Sequence, residues 1–105
     1  MKIVLNKKKL SINPDQFLRR NGYAFIMDRK RDKASYVRRL GDHYYPRLHM
    51  YVKDEEDKIE FNLHLDQKKA SYKGAHMHNA EYEGEVVENE IKRLKGLLRQ
   101  KASQL

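Results

Sequence analysis

The sequence contains no cysteine and no tryptophan, and only two of its 105 residues are proline. The absence of cysteine excludes disulfides, iron–sulfur clusters, thiolate zinc sites and a cysteine nucleophile. No apolar run approaches the ~20 residues that a membrane-spanning helix needs, so we expect no membrane partner. Residues 1–7 contain only three consecutive apolar residues, fewer than a secretory signal peptide requires, so we expect a cytoplasmic protein.

Charge, in contrast, is abundant: 36% of the residues are charged and the formal net charge is +8. Residues 1–53 hold 14 Lys and Arg against 4 Asp and Glu, whereas residues 54–105 hold 9 against 11. A basic half of this kind attracts nucleic acid or another polyanion. Excess lysine also serves solubility alone, and composition leaves both interpretations open. With 39% hydrophobic residues, the length predicts a single domain over 1–105.

Two helices are indicated, one near each end of the chain. Asn13-Pro14-Asp15 combines an N-cap residue, a first-turn proline and an acidic residue, and Gly22 ends the short helix that follows. The segment 86–101 has an apolar stripe with helical spacing, formed by Val87, Ile91, Leu94 and Leu98. Gly96 lies within this second helix, where we expect it to allow a close approach to the sheet.

Alternation of apolar and polar residues predicts strands over 47–53 and 58–66, joined by the acidic turn 54–57. Their expected register sets Lys53 opposite Lys58 and Met50 opposite Phe61, and two-residue slips stay open because they keep the same faces. Further strands are predicted at 1–5, 23–27 and 35–40, with 23–27 largely buried. Residues 67–84 lack periodicity and form either a functional loop or a loop that contains a short strand.

These elements predict an α+β fold. Its architecture is a two-layer sandwich, in which the two helices pack on one face of an antiparallel meander sheet of about four to five strands.

Histidines are concentrated on the other face of that sheet. The alternation that buries Leu48 and Leu63 places His49 and His64 together on the polar face, diagonally across the strand pair. Neutral imidazole is a common ligand for divalent metals, and a metal-bound water would make the protein a hydrolase. One divalent metal ion is therefore the candidate cofactor, with His49, His64, His76 and His78 as candidate ligands. Candidates for an assisting or catalytic role are Tyr51, Asp66, Glu81 and Tyr82.

An alternative is equally consistent with this pattern. The histidines can form hydrogen bonds within a satisfied polar network, covered by the 67–84 segment, or stack on single-stranded bases without any metal.

The motif His76-Met77-His78 resembles that of the HUH nucleases, which process single-stranded DNA with two metal-binding histidines and a tyrosine nucleophile. The resemblance covers three residues and implies a central antiparallel sheet and metal-dependent strand cleavage. In that family the tyrosine lies on a helix after the motif. Here the predicted helix 86–101 contains no tyrosine, and Tyr82 precedes it.

Tyrosines are interleaved with basic residues along the chain, a pattern in which tyrosine stacks on bases while lysine and arginine neutralise phosphate. Tyrosine is also common at the rim of a sheet.

The favoured function is a small basic binding module for RNA or single-stranded DNA that uses an open sheet face. The alternatives are a metal-dependent hydrolase or nuclease and a protein-interaction module, and the sequence does not decide whether the protein is an enzyme. Candidate nucleic-acid contacts are Arg29, Lys30, Arg31, Arg38, Arg39, Tyr44, Tyr45, Arg47, Lys68, Lys69, Tyr72 and Lys73.

Overall fold

The computed structural model describes residues 1–28, 33–69, 78–81 and 84–103, with side chains for 1–27, 34–67 and 84–101. The elements in chain order are β1 (Lys2–Asn6), α1 (Pro14–Arg20), β2 (Ala24–Asp28), β3 (Lys33–Arg39), β4 (Arg47–Asp54), β5 (Lys58–Lys69), β6 (His78–Glu81) and α2 (Glu85–Ser103). Strands β2 to β5 form an antiparallel meander, and β1 pairs with β5, which gives the order β1-β5-β4-β3-β2. The predicted α+β fold with an antiparallel meander sheet and two helices is confirmed.

Strand β5 is longer than predicted and continues to Lys69. Its last part pairs with β6, with a register irregularity between Asp66 and Lys69. Of the two interpretations of segment 67–84, the short strand is therefore found, at 78–81. Because β4 occupies one side of β5, strands β1 and β6 share the other side and lie one after the other along it.

Both helices form for the local reasons that the sequence indicates. Asn13 caps α1, because its side-chain oxygen accepts a hydrogen bond from the backbone N–H of Gln16 at 3.0 Å. The apolar stripe of α2 is buried in one cluster with Leu48, Met50 and Leu63 of the sheet, so the helix covers this face. Within the described ranges, no helix is long and apolar enough to cross a membrane.

The pairing of β4 with β5 differs from the predicted register by two residues. Met50 lies opposite Leu63 rather than Phe61, and Lys53 lies opposite Glu60 rather than Lys58. The faces stay as predicted, because an even shift does not exchange them. The observed register replaces an unfavourable pair of like charges with one of opposite charges, which favours it over the predicted register.

Two further expectations are wrong. Strand β2 is an edge strand rather than a largely buried one: Phe25 is 40% exposed and Met27 is 52% exposed, because the core cluster is built on β1, β3, β4 and β5. Gly96 makes no close approach to the sheet, since a Cβ at this position would meet nothing within 4 Å. Gly22, by contrast, has φ +97° and connects α1 to β2 in a conformation that glycine adopts readily.

Candidate functional site

The central histidines lie side by side on the sheet face opposite the helices. In the β4–β5 ladder His49 is directly opposite His64, and the centroids of the two rings are 4.7 Å apart. The prediction that both rings share one face is confirmed. The rings are closer than the predicted diagonal arrangement, because the true register makes them a directly opposed pair.

Asp66 joins the two rings through its two carboxylate oxygens. His49 Nδ1 lies 2.9 Å from Asp66 Oδ2, and His64 Nε2 lies 2.9 Å from Asp66 Oδ1. Arg47 Nε also donates to Asp66 Oδ2, at 3.1 Å. Arg47, the first residue of β4, lies directly opposite Asp66 of β5. The result is a compact group of one carboxylate, two imidazoles and one guanidinium.

Ser35 of β3 extends this group from the neighbouring strand. Its hydroxyl oxygen lies 2.8 Å from His49 Nε2. Since the Asp66 carboxylate only accepts, His49 donates from Nδ1, and a neutral ring then accepts from the Ser35 hydroxyl through Nε2. These two hydrogen bonds thus fix the tautomer of His49 that carries its proton on Nδ1.

A serine, a histidine and a carboxylate in this order also form the nucleophilic triad of hydrolases. Here, however, the Ser35 side chain is 1% exposed and lies within the sheet. A nucleophile must reach the substrate carbonyl, and a hydroxyl buried to this extent cannot. We therefore interpret Ser35 as a partner that orients His49.

The polar face is not open at these residues, contrary to the sequence-based expectation. Arg47, His49 and His64 are 8%, 8% and 6% exposed. Tyr51 is half-buried on the same face and contacts both imidazoles, with its ring centroid 4.7 Å from that of His49 and 5.7 Å from that of His64. Burial strengthens the interactions within the cluster, because fewer water molecules compete for its hydrogen bonds.

The Asp66 carboxylate is held in its charged form. Burial alone would raise the pKa of this group, but hydrogen bonds from His49 and His64 outweigh burial and place the pKa well below its ordinary value of 3.8. The Asp66 side chain therefore carries a negative charge in the middle of the cluster at neutral pH. This charge balances Arg47 and attracts any second cation.

A second group of basic and aromatic side chains begins at Arg47. The Cζ atom of Arg47 lies 4.6 Å from the ring centroid of Tyr44 and 4.8 Å from that of Tyr45, while Arg39 lies 5.7 Å from the ring of Tyr44. These are cation–π distances. Nη1 of Arg47 is buried and makes no hydrogen bond to any part of the chain that the structure describes.

Three arginines line one cleft beside this group. The cleft has a volume of about 610 Å³ and is bordered by Arg38, Arg39, Arg47 and Tyr44. Ile26 and Val37 provide an apolar surface within it, and Asp42 is its acidic residue. Five predicted nucleic-acid contacts therefore lie together here or directly beside the cleft, namely Arg38, Arg39, Tyr44, Tyr45 and Arg47.

Other predicted site residues lie outside the described side chains. The backbones of Lys68 and Lys69 belong to β5, and those of His78 and Glu81 belong to β6. Arg29, Lys30, Arg31, Tyr72, Lys73, His76 and Tyr82 lie outside the described residues altogether.

Sequence reasoning missed one member of the cluster. Ser35 had no motif around it, and its contact with His49 depends on the pairing of β3 with β4, in which Val37 opposes His49. The signal that could have found it is the period-two alternation of β3, since Ser35, Val37 and Arg39 share one face.

No family model, curated protein or solved structure matches this chain. The resemblance of residues 76–78 to the HUH nucleases therefore stays a prediction from three residues, and the case for function depends on the geometry of the two clusters.

Proposed function

We propose that the protein binds single-stranded nucleic acid through the cleft bordered by Arg38, Arg39, Arg47 and Tyr44. The observation that carries this proposal is the arrangement of Arg39 and Arg47 around the exposed ring of Tyr44. Stacking surfaces beside cations are the recurring elements of single-strand recognition, because bases stack on aromatic rings while phosphates pair with cations.

The shape of the cleft supports a segment of unpaired strand as the ligand. Its volume of about 610 Å³ lies within the range of small-molecule sites and suits a nucleotide-sized group. Ile26 and Val37 offer an apolar surface to a base, and the arginines border that surface. Tyr44 is 53% exposed and so is accessible to a base without any rearrangement of the core.

Arg47 supports the proposal through its Nη1 atom, which has no hydrogen-bond acceptor among the residues that the structure describes. Its Nε is committed to Asp66, which fixes the side chain, while Nη1 is a buried donor next to the ring of Tyr44. A buried donor without an acceptor costs about 1–3 kcal/mol, and a phosphate oxygen that reached it would recover part of this free energy.

The experiment is a fluorescence anisotropy titration of the full chain against a labelled single-stranded RNA oligonucleotide, with the variants Arg39→Ala and Tyr44→Ala. Both residues are exposed, so both variants should fold. We expect each to weaken binding by about tenfold, equivalent to ~1.4 kcal/mol and within the range of a lost stacking contact.

The matched control is Lys8→Ala, which removes the same charge as Arg39→Ala from the exposed turn at residues 7–9. We expect Lys8→Ala to bind within about twofold of the wild type, because Lys8 lies outside the cleft and contributes only its share of the non-specific attraction between protein and phosphates. Absence of binding at about 50 mM salt would refute the proposal. Equal losses in Lys8→Ala and Arg39→Ala would instead indicate a general polyanion binder without a nucleic-acid cleft.

A further inference from the structure

We propose that His49, His64 and Asp66 form a site for one divalent transition-metal ion of the zinc type. Each residue offers one ligand atom, and the three atoms lie within 4.8 Å of one another. This inference concerns a different cluster from the arginine cleft and does not depend on nucleic-acid binding.

The three candidate ligand atoms are near enough to one another to converge on a single ion. Two ligands of a tetrahedral zinc ion, with bonds of ~2.0–2.1 Å, lie about 3.3 Å apart. In the structure, each imidazole nitrogen is 2.9 Å from an oxygen of Asp66. Because the three ligand atoms all lie within 4.8 Å of one another, an ion that takes the place of these hydrogen bonds requires each pair of ligand atoms to shift by about 1.5 Å at most.

The chemistry of the donors favours zinc over magnesium or calcium. Two imidazole nitrogens and one carboxylate are borderline donors typical of zinc, copper, nickel and iron, whereas magnesium and calcium prefer oxygen-only sites. Three protein ligands are also the number found in catalytic zinc sites, in which water or an anionic group takes the fourth position.

The residues around the ligands already form the outer hydrogen bonds that metal sites need. With His49 Nδ1 on the ion, its Nε2–H donates to the Ser35 hydroxyl, now 2.8 Å away. Arg47 Nε donates to Asp66 Oδ2 and leaves Oδ1, the oxygen beside His64, available to the ion. Outer partners of this kind orient the ligands and raise their affinity for metal by about 10–100-fold.

The backbone positions are fixed as well. His49 and His64 are directly opposed on β4 and β5, two interior strands of the sheet, and Asp66 is two residues further along β5 on the same face. Sites on paired strands are held more closely than sites on loops. Two neutral imidazoles, one carboxylate and one arginine leave the loaded site positively charged, so the fourth position favours an anionic group.

The test is isothermal titration of the full, EDTA-treated chain with zinc chloride, together with the visible absorption spectrum after addition of cobalt chloride. We expect one equivalent of zinc to bind and cobalt to give the intense bands of a four- or five-coordinate ion. His64→Asn should lower the affinity for either ion by at least about tenfold. His43→Asn is the matched control, because His43 is exposed in the loop before β4 and outside the cluster.

Ser35→Ala keeps all three ligand atoms and changes only the group behind His49. We expect it to weaken zinc binding by about 10–100-fold, and circular dichroism will report whether each variant is folded. If His64→Asn fails to fold, Ser35→Ala decides the outcome. No zinc or cobalt binding by the folded wild type at millimolar metal overturns the proposal. So does undiminished binding in His64→Asn or, where that variant is unfolded, in Ser35→Ala, because the ion would then be held by other residues.

Discussion

Arg47 connects the two clusters of the polar face. Its Nε pairs with Asp66 in the histidine cluster, and its guanidinium packs against Tyr44 and Tyr45 at the cleft. At 8% exposed it is a buried cation, and a buried ion pair generally gives less net stabilisation than apolar residues of the same shape. Its position is understood more readily as a requirement of binding than as a requirement of folding.

We expect Asp66→Asn to lower the free energy of unfolding by about 3 kcal/mol, because removal of one partner leaves the other charge buried without compensation. The two imidazoles also lose their common charged acceptor. Urea denaturation measures the change. Asp42→Asn, at an exposed position in the loop before β4, is the control and should stay within about 0.5 kcal/mol of the wild type. Equal effects of the two variants would contradict this account.

Among the helices, α2 is held to the sheet by a buried carboxylate as well as by its apolar stripe. Glu90 is 5% exposed and accepts hydrogen bonds from the Tyr23 hydroxyl at 2.5 Å and from Arg93 Nε at 2.6 Å. Arg93 Nη2 also donates to the backbone oxygen of Asn21 at 3.0 Å, and Arg38 of β3 lies 3.7 Å from the carboxylate. The network therefore links α2 to the end of α1 and to the sheet.

The charged state of Glu90 makes this link dependent on pH. Burial by itself raises the pKa of the carboxyl, but hydrogen bonds from Arg93 and Tyr23 outweigh it and hold the pKa below its ordinary value of 4.5. Because the pKa of Glu90 is lower in the folded state, its charge contributes fully to the free energy of unfolding at a pH above the unfolded-state pKa. This contribution is lost as the pH falls from the unfolded-state pKa through the folded-state pKa.

We expect the difference in unfolding free energy between the wild type and Glu90→Gln to shrink as the pH falls from 7 to about 3. Urea denaturation at a series of pH values measures it. Glu88→Gln provides the control on the same helix, at an exposed position, and should follow the pH dependence of the wild type. A difference that is constant over this range would show that the charge of Glu90 contributes nothing.

For the molecule as a whole, the uneven charge has a structural counterpart. The basic half, residues 1–53, contains all three arginines of the cleft, whereas most of the acidic residues lie in residues 54–105. Summed charge of this kind attracts a polyanion before any contact is made, and the local arrangement of arginines then decides where it binds.

The alternative functions, a metal-dependent hydrolase and a protein-interaction module, stay predictions, as does the cytoplasmic location.

Salt dependence tests this account of the whole molecule. In a plot of the logarithm of the affinity against the logarithm of the salt concentration, each phosphate of a single strand that the protein neutralises contributes about −0.7 to the slope. Arg38 lies beside the Glu90 carboxylate of α2, so Arg39 and Arg47 are the two cleft arginines that pair with phosphates, and they predict a slope of about −1.4 between about 50 and about 200 mM salt. Arg39→Ala should make it shallower by about 0.7. A slope near zero would show that phosphate contacts do not drive binding.

His49, His64 and Ser35 show how much of the candidate site could be predicted from the sequence. Alternation with period two assigned the two histidines to one face, and the structure confirms this because side-chain direction is a local property of an extended chain. Alternation in β3 could place Ser35 on the same side as Val37 and Arg39, but its contact with His49 depends on the register of β3 against β4, which the sequence pattern leaves open.

By itself, then, the sequence determined the faces of β4 and β5, the two helices with their capping signals, and the basic character of residues 1–53. Only the tertiary structure decided the register of β4 against β5, since alternation distinguishes odd from even shifts and not one even shift from another. It also decided that Arg47, His49 and His64 are buried, and that Arg38, Arg39 and Arg47 border one cleft. Burial and convergence arise from elements distant in sequence, and no local pattern encodes them.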